Sequence, residues 1–247
     1  MSQKSAGASP KVKARIAGGL YFVIIVGALF APFPVAPSGL VQGDATETVA
    51  KIAASKSLYA LGGVAELIVY ASDVAVALIF YDLLKPVSWS QALLAAFFRL
   101  AYAAIASANV INHFAPLLLM SDAAHSTAFN HDQIQTLTST FVRLHTYGFD
   151  IALVFFGFHC VGAGYLIFRS KFFPRILGVF LVIGGFGYIV NISANFLPST
   201  ITAYLFPYIL VPAGIAEVSL AFWLLIVGVN VQRWKERATG AAVDQCG

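Results

Sequence analysis

Two short stretches read almost alike: GGVAEL at 62–67 and AGIAEV at 213–218, each setting a carboxylate, Glu66 or Glu217, inside a long apolar run. A charge at the centre of a membrane-spanning helix costs roughly 2.5–3.5 kcal/mol on insertion scales, so each one asks for a partner or a wet cavity. Other polar residues recur in helical register. Glu66, Tyr70 and Asp73 are spaced i, i+4, i+7, and Arg99, Tyr102, Asn109 and His113 form a second stripe. A fourth apolar segment carries Arg143, Tyr147 and Asp150 on one side and His145, Phe149, Phe156 and His159 on another; a fifth aligns Gly184, Tyr188, Asn191 and Asn195. Stripes of this kind are expected to face a bundle interior, because lipid offers their polar atoms nothing.

Two histidines with two carboxylates, His113 and His145 with Glu66 and Glu217, form a ligand set that suits zinc and leaves a position open for water. No HExxH or His-x₃-His pair fixes two ligands on one helix, so spacing alone assigns no metal and no cofactor. Neither a Gly-x-Ser-x-Gly elbow, nor a Cys–His arrangement, nor a phosphate-binding or dinucleotide fingerprint is present. Histidine titrates near neutral pH, so the same residues suit proton relay or binding of a small polar ligand. Arg99 and Asp73 read as a buried ion pair that fixes helix register. Asn191 and Asn195 read as interhelical glue, and His159, among aromatics, as a satisfied core histidine. His125 and His131, with Asp122 and Asp132, read as a solvated loop.

The elements that must position these residues are hydrophobic helices. Of 247 residues 59% are hydrophobic and 11% charged, too few charges to cover a soluble domain of this size, and mean hydropathy is +0.82. The expected fold is an all-α polytopic membrane protein, a bundle of six transmembrane helices near 14–35, 58–84, 89–118, 138–168, 174–197 and 205–231. The transmembrane domain then covers 14–231, with a tail at 1–13 and another, expected to be disordered, at 232–247. Lys and Arg concentrate before the first span, in the second and fourth connections and after the sixth, which puts both termini in the cytoplasm and the chain in the cell membrane. The net charge of +4 is thereby a topology signal, and no basic stripe alternating with aromatics points to nucleic acid. Asp44 three residues before Glu47 predicts a short interfacial helix in the first outer loop, and Asn130 with Gln133 predicts a helix start near His131.

At 1.5 Å rise per residue, Glu66, His113, His145 and Asn191 fall roughly 7–12 Å below the outer surface, with Asn109, Asp150 and Glu217 deeper. An outward-facing polar pocket, floored by Arg99 and Asp73, is the expected site.

From Arg143 the chain reads RLHTYGFDIALVFFGFHCVGAGYLIFRSKFFPRILGVFLVIGGFGYIV. With ARIAGGLYFVIIVG, SDVAVALIFYDLLKPV and GIAEVSLAFWLL, this resembles the bacterial membrane family of domain of unknown function 4386. The likeness covers roughly residues 13–230. It highlights Asp73, Arg99, His145 and His159 and implies no biochemical role.

Three functions stand open on the sequence. The first is a non-enzymatic membrane protein whose pocket binds, senses or transports a small molecule or lipid. The second is an intramembrane zinc hydrolase acting on a lipid, with His113 and His145 as ligands and Glu66 or Glu217 as general base. The third is a structural or partner-binding bundle. The sequence sets no oligomeric state.

Overall fold

The computed structural model describes residues 8–31, 45–122, 130–196 and 208–244. Among them the helices are α1 (Pro10–Phe30), α2 (Ala45–Ala54), α3 (Lys56–Leu84), α4 (Trp89–Asp122), α5 (His131–Ser170), α6 (Arg175–Phe196), α7 (Val211–Ile226, entered through a 3₁₀ turn at Tyr208–Leu210) and α8 (Val231–Asp244). No strand occurs among the described residues. Six helical segments are long and apolar enough to cross a membrane. The protein is an all-helical, multi-pass membrane protein, its spans falling on the six runs marked by the sequence.

Local chemistry sets the ends. Asn130 and Gln133 form a reciprocal capping box at the start of α5: Gln133 N donates to Asn130 Oδ1 (2.9 Å), and Asn130 N donates to Gln133 Oε1 (3.0 Å). Helix α2 occupies the first long connection as expected, while Asp44, its proposed cap, lies outside the described residues. The last span stops at Ile226, short of the expected Val231, because Gly228 adopts φ +75 and its N–H turns back onto the Trp223 carbonyl (2.8 Å).

The tail expected to be disordered from 232 is instead helix α8. Asn230 caps it through Oδ1 to Arg233 N (3.1 Å), and Trp234 Nε1 donates to the Leu83 carbonyl (2.9 Å). A half-buried indole and a capped first turn hold a sequence whose composition alone reads as solvated.

The chain forms two compact units, one of Met1–Phe22, Asp73–Ala101 and Leu153–Gly247, the other of Val23–Ser72 and Tyr102–Ala152. We call them the arginine unit and the histidine unit after their buried ionic centres. In the arginine unit, α5 and α6 cross on small residues. A Cβ on Gly157 would stand 2.9 Å from the Gly185 carbonyl, and one on Gly164 2.7 Å from that of Gly178. Leu83, Leu84, Leu166, Leu181, Leu220 and Leu224 fill its interior. In the histidine unit, Ile52, Tyr59 and Val142 form a core with Leu117 and Met120 against it, which ties α2 and the start of α3 to α4 and α5.

Candidate metal centre

Glu66 lies one turn after the Gly62-Gly63 pair of α3, and that pair explains the GGVAEL pattern. A Cβ on Gly63 would meet the His113 ring at 2.9 Å and Phe114 at 2.6 Å; one on Gly62 would meet the Ala31 carbonyl at 2.8 Å. Two missing side chains let α4 lay an imidazole directly over the turn that presents the carboxylate. The twin stretch behaves differently. Gly214 has open space around it, and the tight contact falls instead at Ala213, whose Cα would sit 2.6 Å from a Cβ on Gly184. Glu217 accepts a hydrogen bond from Tyr188 (2.7 Å) within the arginine unit.

Around Glu66 two histidines converge. Its Oε1 lies 3.2 Å from His113 Nδ1 and 3.2 Å from His145 Nε2. The three ligand atoms are all within 4.8 Å of one another. The imidazole planes stand at 89°, centroids 5.3 Å apart. His113 stacks on Tyr59 (4.3 Å, 20°), and its outer nitrogen, Nε2, is 2.9 Å from the Tyr59 carbonyl. A carbonyl only accepts, so Nε2 carries a proton; Nδ1 then presents a lone pair to Glu66 in the neutral ring and donates to it in the imidazolium. His145 Nδ1 stands 3.3 Å from the Asn109 carbonyl, and Asn109 Nδ2 donates to the His145 carbonyl (2.7 Å). His145 Nδ1 also stands 3.2 Å from Asn109 Nδ2, a donor, so its neighbours suit either tautomer: Nε2 meets Glu66 with a proton or with a lone pair. Gly148 makes the Asn109 contact feasible, since a Cβ there would fall 2.2 Å from Asn109 Oδ1. Asn112 Nδ2 holds that same oxygen at 2.9 Å.

Each 3.2 Å contact is a hydrogen bond where the ring nitrogen carries a proton, and where it carries a lone pair a cation has to stand between it and the carboxylate. Donors about 2.0–2.1 Å from a tetrahedral zinc lie about 3.3 Å apart, the spacing found from Glu66 Oε1 to each imidazole. Outer ring N–H groups given to backbone carbonyls are the usual way a protein orients metal-binding histidines. Glu66 is only 9% exposed, and its Oε2 is buried without a hydrogen-bond partner, leaving the carboxylate a second free donor oxygen. The residues therefore fit a divalent ion of the zinc class, with Glu66 in a ligand position rather than that of a base.

The other sequence candidates divide between the units. Asp150 is half-buried on α5 of the histidine unit and does not belong to the three-ligand group. Arg143 and Tyr147 are exposed rather than interior, because the turn that brings His145 and Gly148 to Asn109 rotates them outward. Asn191 is buried in the arginine unit with Oδ1 unpartnered. Asn195 and His125 lie outside the side chains described, and His131 Nε2 meets Gln135 Nε2 (2.9 Å) on exposed helix surface.

Asp73 and Arg99 pair in the arginine unit, as the sequence proposed. Arg99, fully buried, donates Nε to Asp73 Oδ1 (2.9 Å), and its Nη2 bonds the same oxygen. Nη1 donates to Tyr21 Oη (2.6 Å) and meets His159 Nε2 at 3.1 Å. His159 Nδ1 gives its proton to the Ala95 carbonyl (2.9 Å), so His159 is a satisfied core histidine. Phe156 lies under the guanidinium at 5.3 Å.

With this geometry in place, comparison with known proteins adds one decisive match. The family model described as "Domain of unknown function (DUF4386)" matches residues 16–228. The chain belongs to that family. A DUF4386 assignment supplies no activity by itself. The chain is also 29% identical over 172 residues, 70% of its length and 85% of the relative's, to an uncharacterised protein of Archaeoglobus fulgidus. That relative is archaeal, so the likeness is not confined to bacteria. No solved structure matches this DUF4386 chain.

Sequence reasoning missed the backbone partners. The Tyr59 and Asn109 carbonyls leave no trace in residue type, and Tyr21 of the arginine network sits in the apolar run ARIAGGLYFVIIVG with no other polar side chain after Arg15 to mark it. Gly62 and Gly63, one turn before Glu66, were the readable signal.

Proposed function

We propose that this DUF4386 protein is a metal-binding membrane protein whose histidine unit holds a zinc-class divalent cation on Glu66, His113 and His145. One observation carries the reading: Glu66 Oε1 stands 3.2 Å from a nitrogen of each histidine while the outer nitrogen of His113 is already given to a backbone carbonyl. Three protein ligands would leave a fourth position, and a zinc ion held there would polarise a carbonyl and acidify a bound water, the chemistry of a hydrolase acting on a membrane-embedded ester or amide. Both termini lie on the cytoplasmic side in this reading, which rests on the Lys and Arg bias.

The test is elemental analysis of detergent-purified protein, before and after chelation and reloading with zinc. Stoichiometric zinc, lost in His113→Ala and in His145→Ala, supports the centre. Wild-type protein that takes up no zinc after reloading removes both the centre and the hydrolase.

A second reading follows from the same charge requirement. Protons on both imidazoles also supply positive charge around Glu66, and the cluster is then a polar binding site for a small ligand or lipid, as in a sensor or permease. Zinc-free protein that keeps its fold favours it.

A further inference from the structure

Helix α8 carries cations in an arrangement that membrane topology alone does not require. At 100° per residue its half-buried positions, Val231, Trp234, Ala238 and Ala241, fall on one edge. Arg233 and Arg237 flank that edge on one side and Lys235 on the other, all three exposed, while Glu236 points directly away from it. Topology signals need only cations in the connections. Here they sit on a folded amphipathic helix, on both shoulders of an apolar edge, the disposition of a helix lying at a bilayer surface.

That helix is fastened to the inner turns of its own unit. Trp234 Nε1 binds the Leu83 carbonyl (2.9 Å), Asn230 N binds the Phe172 carbonyl (3.3 Å), and Arg233 Nη1 reaches the Lys171 carbonyl (3.2 Å). Lys171, held at φ +62, is brought beside Arg233 by this stitching, and Arg175 opens α6 four residues further on. Acid is scarce there. Asp82 is shared by Lys13 and Lys85, and none of the cations of α8 or of the α5–α6 turn enters an ion pair among the described residues.

We infer that this surface is a binding site for anionic phospholipid headgroups, with Arg233, Lys235 and Arg237 as its core and Lys171 and Arg175 extending it. The phosphodiester and any further anionic group of the lipid lie against the cations, while its acyl chains continue along the apolar edge begun by Val231 and Trp234. Compact, monovalent headgroup charge suits guanidinium and ammonium groups that have no protein anion to satisfy them.

The experiment uses the full chain in a neutral detergent, adding phosphatidylglycerol or phosphatidylcholine and following the thermal unfolding midpoint, because a ligand that binds only the folded state raises it. Wild type should gain several degrees from phosphatidylglycerol over phosphatidylcholine. The triple variant Arg233→Gln, Lys235→Gln, Arg237→Gln, which keeps good helix formers at all three sites, should lose that gain, whereas Lys56→Gln in the histidine unit should retain it. Phosphorus analysis of the purified proteins gives a second readout, with less co-purified anionic lipid in the triple variant. An equal gain in the triple variant overturns the assignment, and so does a wild type indifferent to phosphatidylglycerol. Inorganic phosphate that reproduces the shift would show a general anion site and overturn the lipid. None of these outcomes depends on the metal centre.

Discussion

The two units solve the problem of buried charge in opposite ways. In the arginine unit a permanent cation meets groups that accept: Asp73 Oδ1, Tyr21 Oη and the His159 lone pair. The Arg99 and Asp73 charges offset one another. In the histidine unit a carboxylate meets two imidazoles, one of them already giving its outer N–H to the Tyr59 carbonyl. Each centre leaves one carboxylate oxygen unpartnered, Asp73 Oδ2 and Glu66 Oε2, so burial and stray acceptors do not distinguish them. Donor and acceptor balance does. One centre sets a permanent cation among acceptors, and the other needs positive charge at Glu66, from protons on the imidazoles or from a bound cation.

The sharpest way to break this contrast is through metal. His113→Ala or His145→Ala should abolish zinc uptake and with it the stabilisation by added zinc, about 4 kcal/mol when the ion is present at 1,000 times its dissociation constant. Elemental analysis and zinc-dependent melting read both, and variants that still hold stoichiometric zinc would erase the distinction. The arginine centre should answer to stability alone. Arg99→Met leaves Asp73 buried without a partner and should cost about 3–5 kcal/mol, while Arg99→Met combined with Asp73→Leu should recover most of that. Chemical unfolding in detergent measures it; a double variant as unstable as the single one would mean the pair does more than balance charge, and zinc content should be unchanged in both.

Smaller effects sharpen the picture. Asn109→Ala removes the amide that holds the His145 carbonyl without touching a ligand atom. Zinc affinity should weaken by about 10–100-fold with stoichiometry at saturation preserved, read by competition against a chromophoric chelator. Gly63→Ala tests the close approach of α3 and α4, and it should lower zinc affinity as well as stability because the added methyl meets the His113 ring. The smallest change is expected at the α5 capping box, where Asn130→Ala should cost about 1 kcal/mol, visible in thermal melting and silent in zinc binding. If Asn130→Ala altered zinc content, the metal reading would need a longer reach than the geometry provides.

Much of the architecture was legible without coordinates. Apolar runs long enough to cross a bilayer marked every span, and the Asn130–Gln133 pair marked the start of α5 to the residue. The Arg99–Asp73 pair followed from two lone charges placed at matching depth. The C-terminal helix was not legible, because its stability comes from Trp234 and Asn230 reaching groups distant in sequence. Nor was the different fate of the twin glutamates. Identical local patterns put Glu66 beneath two imidazoles and Glu217 against Tyr188, since the partner helix rather than the motif supplies the neighbours.

The sequence by itself determined that the chain crosses a membrane in apolar helices and that a few ionisable residues must find company inside it, because hydrocarbon tolerates neither open backbone nor lone charge. Tertiary structure alone decided which company each one keeps. Hydrogen-bond roles at an imidazole depend on where a carbonyl from another helix points, and residue order does not encode that direction. The Tyr59 carbonyl beside His113 therefore fixes a proton on Nε2 and leaves Nδ1 to meet Glu66.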